Sequence, residues 1–265
     1  MMPTRKEFFQ VPEGAYAAYW TAREWVPQGF VAVVTASDAN AREMVQALES
    51  ALGRPEPGGN PSDPPAVFWL PAPESAYTDV LPDPALIHAR MALLAHLHYG
   101  NLPRVLVLSA AALARRTLHR AVFDALCLLL GPGVRHPREQ LAQNLLDAGY
   151  SRVDVVEDEG TFALRGQVVD LFVPTLGYPA RITYFDDEVE QIHLFDPQTQ
   201  KRFRPVDELL VHPVRECVPG DLQGMRARLY ERADAVGYPS SKTRAILERV
   251  EAGEAFFGME ALVPL

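Results

Sequence analysis

Thr161-Phe162-Ala163-Leu164-Arg165-Gly166-Gln167-Val168-Val169-Asp170-Leu171-Phe172 and Ala180-Arg181-Ile182-Thr183-Tyr184-Phe185-Asp186-Asp187-Glu188-Val189-Glu190-Gln191-Ile192-His193-Leu194-Phe195 decide the fold class of the middle of the chain. Apolar and polar residues alternate here with a period of two, the spacing of strands that bury one face. Strands are expected over Thr161–Arg165, Gln167–Phe172, Ala180–Phe185 and Val189–Phe195, with another over Arg152–Val156. Gly166 permits a turn or bulge, and Asp186-Asp187 closes a hairpin. Helix periodicity over Arg138–Ala148 stops at Gly149. A largely antiparallel sheet with a helix or two fits this pattern.

Outward from this segment the period changes. Toward the N-terminus, Phe30–Thr35, Ala66–Leu70 and Arg104–Leu108 are short apolar runs of strand type. Helical patterns over Ala39–Leu52 and Pro84–Tyr99 separate them. Ser37-Asp38 is a cap signal, Gly53 a stop, Arg54–Pro65 a Pro- and Gly-rich loop, and Asn101-Leu102-Pro103 a turn. Strand, helix, strand, helix, strand is the order of an α/β domain with a parallel sheet. Ala121–Leu130 is apolar and is broken by Gly131-Pro132-Gly133. Beyond Pro213, two helices are expected over Met225–Ala235 and Lys242–Ala252, with Ser240 or Ser241 capping the second and Gly253 ending it. The chain is thereby divided into 1–116, 117–212 and 213–265.

Composition narrows the function. Of 265 residues, 48% are apolar and 22% charged, the proportions of a soluble globular protein. The net charge, 25 − 34 = −9, speaks against a generally basic nucleic-acid binder. Between Ser151 and Gln200 ten acidic residues face three basic ones, a balance of 3 − 10 = −7 that suits a protein partner with basic patches. Two cysteines, Cys127 and Cys217, build neither a disulfide scaffold nor a CxxC zinc site. No apolar run reaches the ~20 residues of a membrane span. A cytoplasmic monomer without a membrane partner is expected.

Catalytic chemistry is hard to assemble. No G-x-x-x-x-G-K-[ST] phosphate loop occurs, and Ser240-Ser241-Lys242-Thr243 lacks its glycines. The seven histidines form no metal-spaced cluster, and Ser109 lies in no nucleophile elbow. Asp186, Asp187 and Glu188, with Glu190, offer the one alternative, a hard-cation or nucleotide-dependent enzyme. The expectation is a binding module without catalytic residues, metal or cofactor. Alternation puts Arg181, Thr183 and Phe185 opposite Ile182 and Tyr184, and Arg165 opposite Phe162 and Leu164. Arg165, Arg181 and Phe185 then share one exposed face, and arginine and aromatic residues dominate protein–protein hot spots. The same pattern also accommodates Phe185 as core. Asp170 is expected to hold a loop by hydrogen bonds.

Several stretches then resemble one family. Phe162-Ala163-Leu164-Arg165-Gly166 with Asp170-Leu171-Phe172 is similar to the "F-A-x-R-G-x-x-x-D-[IL]-F" of the transcription-repair coupling factor Mfd. Arg181-Ile182-Thr183-Tyr184-Phe185-Asp186-Asp187-Glu188-Val189-Glu190 resembles its "R-I-x-F-F-x-D-E-[IV]-[DE]", and Phe195-Asp196-Pro197-Gln198-Thr199-Gln200 its "F-D-P-x-T-Q". Gly149–Asp154 matches "G-Y-x-R-V-D". Tyr77, Pro82-Asp83 and Leu108–Leu113 are collinear, as are Phe257–Glu260 and Val263–Leu265 with "G-I-E-x-x-x-P-L". The related module of the repair helicase subunit UvrB reads "D-P-x-T-G" where this chain has Thr199-Gln200.

The resemblance covers the N-terminal, UvrB-like region of that family. It implies a degenerate helicase-like α/β domain carrying an inserted, largely antiparallel α+β domain, with 213–265 returning to complete the first. It also implies that the inserted domain binds UvrA, and that Arg165, Arg181 and Phe185 make the contact. No ATP site is implied here. In the family, RNA polymerase and DNA are engaged through regions that follow the point matching Leu265, as is the translocase motor. The expectation is therefore a docking module of transcription-coupled nucleotide excision repair without the motor.

Overall fold

The computed structural model describes residues 15–52, 64–72, 83–99, 102–216 and 222–251. The expectations placed on Gly53, the loop over 54–63, Tyr77, Pro82, Asn101, Cys217, Gly253 and the motifs over 257–265 lie outside the described residues. The architecture is mixed, with one parallel sheet and two others that are antiparallel or mostly so. Two compact units divide the chain, one made of 1–72 with 99–115, the other of 73–98 with 116–265. No helix among the described residues is long and apolar enough to cross a membrane.

In the first unit, β1 (Val31–Thr35), β2 (Val67–Leu70) and β3 (Val105–Ser109) form a parallel sheet in the order β1-β3-β2. Strand β3 is central and all five of its residues are buried, the first four, Val105–Leu108, forming an unbroken apolar run where an edge strand would alternate. Helix α1 (Ala15–Trp20) precedes the sheet, and α2 (Asp38–Leu52) lays Ala41 and Leu48 against Val67, Val105 and Val107. The Ser37 hydroxyl accepts from the Asn40 backbone N–H at 3.2 Å and caps α2. Helix α3 (Pro84–His98) lies between β2 and β3 in sequence but belongs to the second unit. After β3, the Ser109 hydroxyl caps the short α4 (Ala110–Leu113).

The second unit is built on a six-stranded sheet. It contains α5 (Arg120–Leu126), β4 (Leu128–Leu130), α6 (Arg138–Asp147), β5 (Ser151–Arg152), β6 (Thr161–Arg165), β7 (Val168–Leu171), β8 (Ala180–Phe185), β9 (Glu188–Phe195), β10 (Arg202–Pro205) and β11 (Leu209–Val211). The sheet order is β10-β9-β8-β7-β6-β5, antiparallel except that β5 runs parallel to β6. Leu141 and Leu145 of α6 pack with Phe162, Leu171, Ala180, Ile182 and Leu194 of the sheet. Strand β4 pairs with β11, joining the two ends of this module.

Three details depart from the sequence expectations. The apolar run Ala121–Leu130 splits into α5 and β4. Strand β5 has only two residues, because Val156 leaves the ladder to pack with Ala163, Phe172 and Phe195. Helices α7 (Leu222–Ala235) and α8 (Ser240–Glu251) follow, and α8 starts at Ser240 with the Pro239 carbonyl accepting from Thr243 N at 3.1 Å. Ser240 and Ser241 therefore lie in its first turn, one and two positions past the cap position at Pro239. The Arg90 guanidinium on α3 reaches Glu216 through Nε and Nη2, both at 2.8 Å, and both side chains are buried.

His212 follows β11 and is fully buried. One ring nitrogen, Nδ1, lies 2.9 Å from the Pro213 carbonyl, and the ring faces Phe123 with centroids 6.4 Å apart. Burial pushes its pKa down to about 4. The unfolded histidine binds its proton near pH 6.5, so between those values the unfolded state holds more protons than the folded one. Stability is complete above the unfolded value and is lost as pH falls toward the folded one. Urea unfolding should show the parent losing roughly 3 kcal/mol more than His212→Asn between pH 7.5 and pH 4. Parallel pH profiles for the two proteins would contradict a neutral buried His212.

Candidate protein-docking face

Cross-strand register sorts the side chains of the six-stranded sheet. Leu164, Val169, Ile182 and Ile192 stand opposite one another on β6 to β9, as do Phe162, Leu171, Ala180 and Leu194. These two rows form the face that meets α6. On the other face run Ala163–Asp170–Arg181–His193, between those two rows, and Arg165–Val168–Thr183–Gln191, beyond the Leu164 row. The β8–β9 register shifts after Thr183, so Tyr184 pairs with Val189 and Phe185 with Glu188. Alternation along β8 leaves Tyr184 buried and Phe185 on the outer face, 73% exposed, and the extra β9 residue, Glu190, sets Val189 opposite Tyr184. Phe185 is therefore not a core residue.

Arg181 has a different environment. Its Nε and Nη2 donate to the two carboxylate oxygens of Asp170 at 2.6 and 2.8 Å. Nη2 also donates to Gln200 Oε1 at 2.9 Å, and Nη1 to the Gln200 carbonyl at 3.3 Å. The guanidinium lies 4.4 Å over the Phe195 ring, a cation–π contact. Only 16% of the side chain is exposed. Asp170 neutralises the charge and lifts the Arg181 pKa further above its ordinary value. The sequence placed Arg181 on the exposed face beside Phe185; the structure places it on that face but turned into the sheet.

The Asp170 carboxylate accepts from Arg181, and Arg181 in turn fastens Gln200 in the loop between β9 and β10, so Asp170 acts on that loop through the guanidinium. That loop is ordered locally. Asp196 Oδ1 accepts from the backbone N–H groups of Gln198 and Thr199 at 2.9 and 2.7 Å, which holds its carboxyl below the usual range. Gln200 has φ 60°, a left-handed conformation that favours glycine. Sequence reasoning missed Gln200 as a site residue. The signal available was the glutamine standing where the UvrB motif has glycine.

Arg165 ends β6 in an exposed position, with Nη2 donating to the Asp154 carbonyl. Gly166 follows with φ 54° and makes the two-residue turn to β7 with Gln167. Its carbonyl accepts from Arg138 Nη1, and the Gln167 carbonyl accepts from Tyr184 N at 2.9 Å. Asp186 has φ 52° and forms the second turn with Asp187. The Asp187 carboxylate lies 3.6 Å from Arg135, and its carbonyl accepts from His136 N at 2.9 Å. Asp186, Asp187 and Glu188 thus build a hairpin end. Among the described residues no group of three or more His, Cys, Asp or Glu is placed to hold a metal ion.

Known proteins resemble this chain. Residues 128–216, from the start of β4 to Glu216, match the family described as UvrB interaction domain. The chain is 38% identical to the transcription-repair-coupling factor of Myxococcus xanthus over 203 residues, 76% of this chain and 17% of that protein. It is 41% identical to UvrABC system protein B of Kosmotoga olearia over 96 residues, 36% of this chain and 14% of that protein. With the transcription-repair-coupling factor of Escherichia coli it shares 31% identity over 112 residues, 10% of that protein. The chain spans less than a fifth of the length of these relatives.

The Asp170–Arg181 geometry makes a stability prediction. Removing one member of a buried ion pair leaves the other charge uncompensated, which costs more than the pair itself contributes. Asp170→Ala and Arg181→Ala should each destabilise by about 3 kcal/mol in urea unfolding. The double variant should be more stable than the sum of the singles by at least about 1 kcal/mol. Additive single effects would contradict a coupled pair.

Proposed function

The chain is similar to the UvrB-like region of transcription-repair coupling factors, and from that premise we propose that it is a non-catalytic docking module of nucleotide excision repair that binds UvrA. Phe185 fills an apolar pocket on UvrA, and Arg165 makes a charge-assisted hydrogen bond beside it. Arg181, engaged by Asp170 and Gln200, supports the strand that carries Phe185. The observation that carries this reading is a large aromatic side chain left in water at the end of β8, within the segment matched to the UvrB interaction domain. An exposed ring that shares a sheet face with an exposed arginine has the composition of an interface hot spot.

In this reading the six-stranded module is an insertion in a degenerate helicase-like α/β domain. Translocation and the engagement of RNA polymerase and DNA belong to other regions of the relatives. The module itself acts as a monomer and supplies recognition alone, with neither metal nor cofactor. The acidic cluster at Asp186, Asp187 and Glu188 shapes a turn in place of a cation site.

Binding of the chain to purified UvrA tests this directly, beside Phe185→Ala and Arg165→Ala variants checked for folding. Phe185→Ala should weaken binding by about thirtyfold, or ~2 kcal/mol, and Arg165→Ala by about tenfold. A folded parent that does not bind, or variants that bind as well as the parent, would overturn the proposal.

A further inference from the structure

The outer face continues past β9 onto a segment that is far away in sequence. Backbone hydrogen bonds fasten residues 133–136 along the start of β9: Gly133 N to Val189 O at 2.8 Å, Val189 N to Val134 O at 2.9 Å, and His136 N to Asp187 O at 2.9 Å. An isolated antiparallel bridge pairs Arg135 with Glu188. Glu188 is also the cross-strand partner of Phe185. Residues directly opposite in antiparallel pairs project to the same side of a sheet. Phe185, Glu188 and Arg135 therefore form one row on the outer face, continuing the surface that carries Arg165.

The two arginines of this segment have different tasks. Arg138 is mostly covered and donates to the Gly166 carbonyl, which ties α6 to the β6–β7 turn. The Arg135 side chain is 80% exposed and has a carboxylate, that of Asp187, at 3.6 Å. An exposed pair at that distance contributes little to stability.

We infer that Arg135 is a further determinant of docking, a cation held beside Phe185 for a carboxylate on the partner surface. This rests on the proposed UvrA docking and extends it. Arg135 and Arg165 stand on opposite flanks of the β8–β9 hairpin, so the partner must present acidic groups on two sides of the pocket that takes Phe185. That requirement gives the contact an orientation, which one aromatic anchor cannot do. Charges at the rim of an interface act chiefly on association rate and its salt dependence.

The experiment is UvrA binding followed by association and dissociation rates for the parent, Arg135→Gln, Arg135→Glu, Arg135→Lys and Phe185→Ala, each checked by thermal melting. Arg135→Glu should weaken binding by about tenfold at roughly 50 mM salt, mostly through slower association, and the deficit should shrink at roughly 300 mM. Arg135→Gln should lose about threefold and Arg135→Lys should stay near the parent. Arg135→Glu and Arg135→Gln binding within about twofold of the parent, while Phe185→Ala fails, would overturn this inference and leave the docking proposal standing. A folded parent without affinity for UvrA would overturn both.

Discussion

The Arg181 guanidinium, gripped by Asp170 and stacked on Phe195, is the constraint on which the outer half of the module depends. Two charges in a sheet largely shielded from water are costly to desolvate, and they are tolerated because the geometry is bidentate. The pair joins β7 to β8 directly and the β9–β10 loop through Gln200. Four hydrogen bonds and a ring face thus converge on one side chain. With Arg181 held at one end of β8, the other end carries Phe185, paired with Glu188 at the hairpin end and exposed to solvent. The register shift after Thr183 completes the arrangement, since the extra β9 residue, Glu190, sets Val189 opposite the buried Tyr184 and Glu188 opposite the exposed Phe185.

This geometry gives physical content to the motifs. Asp170 comes from the stretch ending in Asp-Leu-Phe, Arg181 from the one beginning Arg-Ile, and Phe195 and Gln200 from Phe-Asp-Pro-Gln-Thr-Gln. Three separate sequence signals are the parts of a single cluster. That cluster is architectural, and the exposed Arg165 and Phe185 lie outside it. Gln200 shows the trade. Its backbone adopts a conformation that glycine would enter more easily, and its side chain supplies an acceptor that glycine lacks.

Much of the strand pattern was legible, because a sheet that buries one face prints its alternation on the sequence. Strands β6 to β9 and their turns at Gly166 and Asp186-Asp187 followed from that period, and helix α6 from the change to a helical one before Gly149. Partnership across strands was not legible. Nothing local distinguishes Arg181, which finds a carboxylate, from Arg165, which reaches a backbone carbonyl and stays exposed; register decides it. For the same reason Arg135, fifty residues before Phe185, became part of the face only once the chain was folded. Strand β10 was missed because Arg202-Phe203-Arg204-Pro205 carries charge and a proline, as edge strands do. The assignment of α3 to the second unit was also hidden, since its ion pair joins Arg90 to a residue more than a hundred positions later.

The central claim is that the hairpin end of the six-stranded sheet is where UvrA docks. Amide hydrogen exchange of the chain, alone and with UvrA, tests it without altering a residue. Slower exchange in peptides spanning 133–136, 164–168 and 184–190, with α7 and α8 unchanged, is the predicted result. Protection confined to the first unit or to α7 and α8, with the hairpin end exchanging as in the free chain, would contradict it.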